Sequence, residues 1–276
     1  MIQELCHEFP VRVLCQAVEL SPSTYYYQPR DNDDLSVLSW IEDVLLRFPT
    51  YGRPRLARQL QREGHRVNHK RVERILREND LIRVVKRRCA TTDSVHGYRR
   101  YPNLVRHLEV TRPEQVWCAD ITYVQLPRGF AYLAILLDLF TRGLRGWHLG
   151  HMLSTDLALT ALQKALRQGT PEIHHSDQGV QYAADGYTAA LEQRGVRVSM
   201  AAVGQPTQNA YAERVIRTIK DEEVYLADYE SFADAYQRIG HFIEDVYRTK
   251  RIHSALGYLT PAEFEAGYWA AVQGTP

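Results

Sequence analysis

The apolar positions of this chain repeat with two periods, and the change falls near residue 116. Before it the spacing is helical. Val11 to Val18 followed by Ser21-Pro22-Ser23-Thr24-Tyr25 reads as a helix, a tight turn and a second short helix, with Ser21 as N-cap and Pro22 at the first helical position. Leu38, Ile41, Leu45 and Phe48 share one helix face until Pro49 ends it. Tyr51-Gly52-Arg53-Pro54-Arg55 precedes a helical run to Arg62, Gly64 breaks that run, and Val67 to Arg77 begins another helix with Val72, Ile75 and Leu76 as its buried stripe. From Trp117 onward the pattern predicts strands over 116–126, 130–138 and 144–150, then helix 155–168, strand 172–176, helix 181–193, strand 196–200 and helix 208–226. A last helical stretch covers 231–247.

Three successive strands followed by alternating helices and strands imply a mixed sheet covered by helices, in the order of the ribonuclease H-like arrangement. The expected fold class is α/β: a ribonuclease H-like mixed five-stranded sheet flanked by helices, preceded by small all-α helix-turn-helix units. The chain divides accordingly into a short helical segment (1–30), a helix-turn-helix unit (35–82), a basic linker of no clear period (83–112), the sheet domain (113–226) and a C-terminal helical extension (227–276).

At 276 residues with 45% apolar content the chain can fill one sizeable core and smaller helical units. Its longest apolar stretch, Phe130 to Leu137, stops at Asp138, far short of the roughly 20 residues that cross a bilayer. No basic-then-apolar leader opens the sequence, so a cytoplasmic, nucleoid-associated protein is expected. Cys6, Cys15, Cys89 and Cys118 are scattered without zinc-finger spacing and read as reduced thiols. The formal net charge of +1 conceals a strong division. Residues 51–112 carry 17 basic and 6 acidic side chains, net +11, whereas the segments before and after are each net −5. Such a block attracts a polyanion, although a solvated basic helix face explains the charge equally well. Within it the buried stripe leaves Lys70, Arg71, Arg74 and Arg77 mainly toward solvent, the composition of a DNA-reading helix, and Lys86-Arg87-Arg88 would track phosphates from the linker.

Three carboxylates stand in settings that suggest chemistry. Asp120 lies inside the first predicted strand, Asp177 ends the fourth, and Glu213, after 35 intervening residues, sits on the helix that follows the fifth. Singly each has a plain explanation: Asp177 before Gln178-Gly179 suits a turn or cap, and Glu213 suits a solvated helix face. Together they form a donor set for hard divalent cations, which favour carboxylate oxygens and keep several waters. A pair of Mg2+ ions stabilises both the attacking and the leaving oxygen of a phosphodiester displacement, so the grouping points to cutting and joining nucleic acid. Asn209, Glu213, Arg217 and Lys220 follow helical spacing along one stripe, which would place cations and a metal ligand against the same DNA. The alternative of an i,i+4 Glu213–Arg217 ion pair, at about 0.2–0.5 kcal/mol, does not exclude that. His174 and His175, neighbours on a strand, point to opposite faces, one to the core and one toward the site. The many tyrosines raise the alternative of a tyrosine recombinase, but no Arg and His cluster surrounds a single C-terminal Tyr.

Several motifs resemble the DDE transposases of bacterial insertion sequences, specifically the second-frame product of the insertion-sequence-three family, whose core is similar to retroviral integrase. They are Trp117-x-x-Asp120-Ile121-Thr122-Tyr123, His175-Ser176-Asp177-Gln178-Gly179-x-Gln181-Tyr182, Ser199-Met200, Asn209-Ala210-x-x-Glu213 with Lys220, and His253-Ser254-Ala255-Leu256-Gly257-Tyr258-Leu259-Thr260-Pro261. Tyr51 through Leu81 resembles the family's helix-turn-helix segment. The resemblance implies an integrase-type catalytic core in which Asp120, Asp177 and Glu213 bind two Mg2+ ions, with Mn2+ as a substitute, and Lys220 holds the transposon-end DNA. It implies cleavage and joining of DNA strands without a covalent enzyme–DNA intermediate. The partners implied are double-stranded DNA (terminal inverted repeats and target), further copies of the chain on that DNA, and an upstream-frame product. Gln208, Arg248 and Ile252 depart from residues common in the family. Competing functions are a ribonuclease H-like nuclease that only hydrolyses, and a catalytically silent DNA-binding regulator.

Overall fold

The computed structural model of the chain describes residues 2–7, 9–26, 33–81, 101–201 and 209–274. Lys86, Arg87, Arg88 and Gln208 lie outside the described residues. The N-terminal part forms α1 (Ile2–Leu5), α2 (Val11–Ala17) and α3 (Pro22–Tyr25), with Ser21 as the N-cap of α3. Three longer helices follow: α4 (Asp34–Arg47), α5 (Arg53–Arg62) and α6 (His69–Glu78). Asp33 caps α4 by accepting from the Ser36 backbone N–H, and Asn68 caps α6 by accepting from that of Lys70. Val37, Ile41 and Val44 of α4, Leu56 and Leu60 of α5, and Val72, Ile75 and Leu76 of α6 close one core.

The sheet contains β1 (Val116–Gln125), β2 (Phe130–Asp138), β3 (Leu144–Gly150), β4 (Ile173–Ser176) and β5 (Arg197–Met200). Its order is β3-β2-β1-β4-β5, antiparallel across the first three strands and parallel between β1, β4 and β5. This is the ribonuclease H-like mixed sheet. The predicted strands agree to within a residue at each end, and the predicted helices divide further. One face carries α7 (Thr155–Ala165) with α8 (Val180–Ala183) and α9 (Asp185–Glu192). The stretch expected as a single helix over 181–193 breaks at Ala184, whose extended backbone, ψ 139°, caps α9. Gly146 lets α7 lie directly on β3, because a Cβ there would sit 2.3 Å from the Ala161 carbonyl oxygen. The opposite face carries α10 (Ala210–Ile219), which continues as a π-helical stretch from Lys220 to Val224. There Ala212, Val215, Ile216 and Ile219 join Val116, Cys118 and Val124 in the second sheet core. α11 (Phe232–His241) likewise runs into a π-helical stretch, Phe242–Lys250, before α12 (Pro261–Gln273) starts with a capping box between Thr260 and Glu263. Among the described residues no helix is long and apolar enough to cross a membrane.

The C-terminal segment ties the helical unit to the sheet. Ile252 is fully buried in the core of α4–α6, and its backbone N–H donates to the Tyr51 hydroxyl at 3.0 Å. Arg251, 3% exposed, forms a two-pronged pair with Glu222 at 2.7 and 2.7 Å, while Arg55 of α5 approaches the same carboxylate at 3.7 Å. Arg62 of α5 pairs with Glu263 and donates to the Tyr258 carbonyl at 3.3 Å.

Two enclosed histidines give stability a definite pH dependence. His174 is fully buried against the Tyr187 hydroxyl at 2.9 Å, and burial pushes its pKa down to about 3. His253 is likewise pushed down to about 3 by burial and by the neighbouring Arg251. The unfolded chain takes up protons below about 6.5 where the folded chain does not, so stability falls as pH drops through that value and keeps falling toward the folded pKa. For His174 the loss between pH 7 and 5 is about 2 kcal/mol, and partly open His253 adds a smaller share. Thermal unfolding of wild type and His174→Phe at pH 7 and pH 5 checks this: acidification should lower the Tm of the wild type relative to that of His174→Phe, and the same change in both proteins would contradict it.

Candidate active site

Strand alternation places the three carboxylates on one side of the sheet. Val116 and Cys118 face the α10 core while Trp117 and Ala119 face α7, so Asp120 points toward α10. β1 and β4 pair in parallel with Cys118 opposite His175, and two residues further along each strand stand Asp120 and Asp177. Neighbouring strands are roughly 4.8 Å apart, so the register sets these carboxylates side by side. Glu213 occupies the first turn of α10 directly over this edge. Asp120 lies within β1, Asp177 just past the end of β4 and Glu213 on the helix after β5, the placements expected from the pattern.

The electrostatics follow from that placement. The Asp120 carboxyl is pushed up to about 8, first by the dense protein around it, then by Asp177 and to a lesser degree Glu213. Lys220 and a hydrogen bond from the Ile121 N–H, 2.8 Å from Asp120 Oδ1, act in the opposite direction. Glu213 is also raised, by desolvation and by Asp177, against the pull of Arg217. Lys220, at the α10 boundary, is half-buried with Nζ 4.0 Å from the centre of the Tyr123 ring, and desolvation lowers its pKa. Asp120, Asp177 and Glu213 are oxygen donors whose charges act on one another; hard divalent cations favour such donors. Among the described residues no three His, Cys, Asp or Glu side chains are drawn together closely enough to enclose one ion.

Asp177 is positioned by its own turn, where Oδ1 accepts from the Gly179 backbone N–H at 3.0 Å. A Cβ on Gly179 would lie 3.0 Å from that oxygen and 3.2 Å from Gln181 Oε1. Gly179→Ala should therefore displace the carboxylate and lower DNA joining about tenfold, given that a displacement of about 1 Å can cost roughly 100-fold. Joining rates with a Tm control test this, and unchanged joining would show that the turn does not set the carboxylate.

The stripe expected along α10 is only partly turned outward. Glu213 and Arg217 are exposed and Lys220 is half-covered, but Asn209 is buried, with Nδ2 donating to the Ala119 carbonyl at 3.0 Å. The expectation that Asn209 contacts DNA is corrected by this burial. It fastens the start of α10 to β1 one residue before Asp120, and its spacing of three and seven from Ala212 and Ile216 was the available signal. Tyr182 was visible only as part of a motif. It is buried with a hydroxyl that has no partner among the described residues, and burial together with Asp120 and Asp177 raises its pKa well above 10. His174 and His175 divide between the faces as expected, but both are buried, with His175 Nδ1 2.8 Å from Ser199 Oγ. In α6, Lys70 and Arg77 are exposed, Arg77 reaching Glu73 at 3.5 Å. Arg71 and Arg74, expected mainly toward solvent, instead clamp Asp34 of α4 at 2.8 and 2.7 Å, and Arg74 also meets Glu78 at 3.0 Å. These contacts, Arg74 first, hold the Asp34 carboxyl below its usual range.

Residues 110–206 and 194–261 match family models described as integrase core domain, and residues 31–89 match one described as HTH-like domain. The transposase for insertion sequence element IS629 of Shigella sonnei is 30% identical over 99% of this chain and 97% of its own length. The transposase InsF for insertion sequence IS3A of Escherichia coli (strain K12) is 31% identical over 94% of each. Among solved structures, the HTLV-2 integrase catalytic core domain in complex with magnesium is 12% identical with a TM-score of 0.43, covering 55% of this chain and 95% of that one. With relatives 30% and 31% identical over nearly their whole length, the chain belongs to the DDE transposases of bacterial insertion sequences, in the insertion-sequence-three family.

Proposed function

We propose that Asp120, Asp177 and Glu213 together hold two Mg2+ ions, for which Mn2+ can substitute, and that the chain uses this site to free and join the 3′ ends of its insertion sequence. The observation that carries the reading is the parallel β1–β4 register, which puts Asp120 and Asp177 at matching positions with Glu213 in the first turn of α10; burial, and then Asp177 and Glu213, push the Asp120 carboxyl up there. Bound there, the ions would supply positive charge to the attacking and leaving oxygens of an in-line displacement.

The chain's own groups supply positioning. Asn209 fixes α10 against β1 and so holds Glu213 over the strand edge. Lys220 and Arg217, flanking the carboxylates on α10, take phosphates of the element end. Lys70 and Arg77, with Lys86, Arg87 and Arg88 of the linker, extend the contact along double-stranded DNA, while Arg71 and Arg74 act through their brace on Asp34. The DNA partners are the terminal inverted repeats and the target. Two ends must be held at once, so several copies assemble on the DNA, with an upstream-frame product as a further partner in the bacterial cytoplasm.

The reading is tested with labelled element ends and purified protein, with and without Mg2+ or Mn2+. Metal-dependent products in which ends are joined to target, or to each other, are expected. Cleaved strands alone would indicate a nuclease and overturn it.

A further inference from the structure

Among the described residues, Arg142 Nη1 is a buried donor without a hydrogen-bond partner. The residue closes the turn from β2 to β3 with its backbone in the left-handed region, φ 59°, a conformation that a non-glycine residue keeps only where its surroundings enforce it. The Asp138 carboxylate, fully buried, builds this turn by accepting from the backbone N–H groups of Phe140 and Thr141 at 3.0 and 2.7 Å. The Tyr247 hydroxyl donates to the Arg142 carbonyl at 3.0 Å. The guanidinium is thereby delivered to the N-terminal end of α10, 4.0 Å from the centre of the Tyr211 ring. Its Nη1 is buried with no acceptor among the described residues, while the residue as a whole keeps part of its surface open. A buried guanidinium donor of this kind is a group that an anionic oxygen can satisfy.

The surroundings supply a charge of the right sign. Arg55 and Arg251 stand near it around His253, and the carboxylate that faces those two is Glu222. Arg214, exposed on the outer side of α10, extends the cations toward Arg55 and the helical unit. Tyr211 and Glu213 are two residues apart, about 200° around the helix, so the Arg142–Tyr211 pair and the carboxylates occupy opposite flanks of α10. Arg214 is exposed and Arg142 is partly open, whereas Arg251 is enclosed by Glu222; cations presented at the surface match a polyanion better than a single enclosed ion.

We infer that Arg142, with Tyr211 stacked on it, contacts a backbone phosphate of the bound DNA on the flank of α10 away from Glu213. The inference rests on the reading that DNA lies across this helix, and adds to it a phosphate contact from the β2–β3 turn. Phosphate contacts are independent of sequence, so a mixed-sequence duplex serves as the probe.

Binding of a fluorescent duplex to the full chain is measured by anisotropy over a salt series without divalent metal, which separates this test from the carboxylate site. Arg142→Gln should weaken binding about tenfold at moderate salt and make the slope of log K against log salt shallower by about 0.9, the share of one phosphate contact. Arg142→Lys should keep that slope, and Tyr211→Ala should weaken binding by a smaller factor. Circular dichroism and Tm establish that each variant is folded; if Arg142→Gln does not fold, the conservative Arg142→Lys paired with Tyr211→Ala decides, and wild-type binding by Tyr211→Ala overturns the inference. Unchanged affinity and slope in folded Arg142→Gln would also overturn it. So would inorganic phosphate raising the Tm of the wild type but not of Arg142→Gln while DNA binding stays the same, since the site would then serve a free anion. A wild-type chain that fails to hold duplex at all would instead overturn the reading on which the inference rests.

Discussion

Asp120→Asn, Asp177→Asn and Glu213→Gln should each lower DNA joining by on the order of 10³-fold or more while leaving duplex binding within about twofold of wild type. Each change keeps the side chain's shape and removes one negative charge from a set whose function is to hold positive charge. The three should fail alike and should not add, because a site that needs every ligand is lost with the first. Binding is expected to survive because the cations of α6 and α10 do not depend on the carboxylates for their positions: Lys220 rests on Tyr123, and Arg71 and Arg74 rest on Asp34. Asp120→Asn also removes a carboxyl that like charges disfavour, so its Tm should rise or stay level even as activity disappears. Single-turnover joining assays beside anisotropy titrations separate the two properties, and a variant that joins at more than a tenth of the wild-type rate would remove its residue from the proposed site.

The second large effect lies at the seam between the helical unit and the sheet domain. Glu222 is the acidic partner of buried Arg251 and lies close to Arg55. Glu222→Ala leaves an enclosed guanidinium without its carboxylate, which costs about 3–5 kcal/mol and lowers Tm on the order of 10 °C. Replacing both partners, as Glu222→Leu with Arg251→Met, should recover most of that loss, because the penalty comes from the unpaired charge. A Glu222→Ala protein whose unfolding free energy stays within about 1 kcal/mol of wild type would show the pair to be dispensable. The seam carries functional weight as well: it sets α6 at a fixed place relative to Asp120, so loosening it should reduce joining of an element end more than binding of a mixed-sequence duplex.

Period and spacing located most of the fold. A ten-residue strand rich in β-branched and aromatic residues, such as β1, announces itself, and so does the helical stripe of Val72, Ile75 and Leu76. Features set by tertiary contact were less legible. The extended backbone at Ala184 splits what a single helical period would join, and nothing in the local sequence distinguishes it from an interior helix position. The π-helical continuations after Ile219 and His241 likewise keep an apolar spacing close to that of an α-helix. Asn209 fits two stripes, one with Glu213 and one with Ala212 and Ile216, and only the carbonyl of Ala119 decides between them. Arg71 and Arg74 look solvent-facing until Asp34, 37 residues upstream of Arg71, is brought beside them. Contacts across 201 positions, such as Tyr51 with Ile252, cannot be read from local spacing at all. The places of the three carboxylates on their elements were legible because the sheet pattern itself defines them: mid-strand, just past a strand end, and facing helix.

The most direct test is a structure of the protein bound to an element end with Mn2+, in which anomalous scattering locates each ion. The account predicts two peaks about 3.5–4 Å apart, held by Asp120, Asp177 and Glu213 together. Peaks that leave any one of the three carboxylates out of contact, or that gather on other side chains, would contradict it.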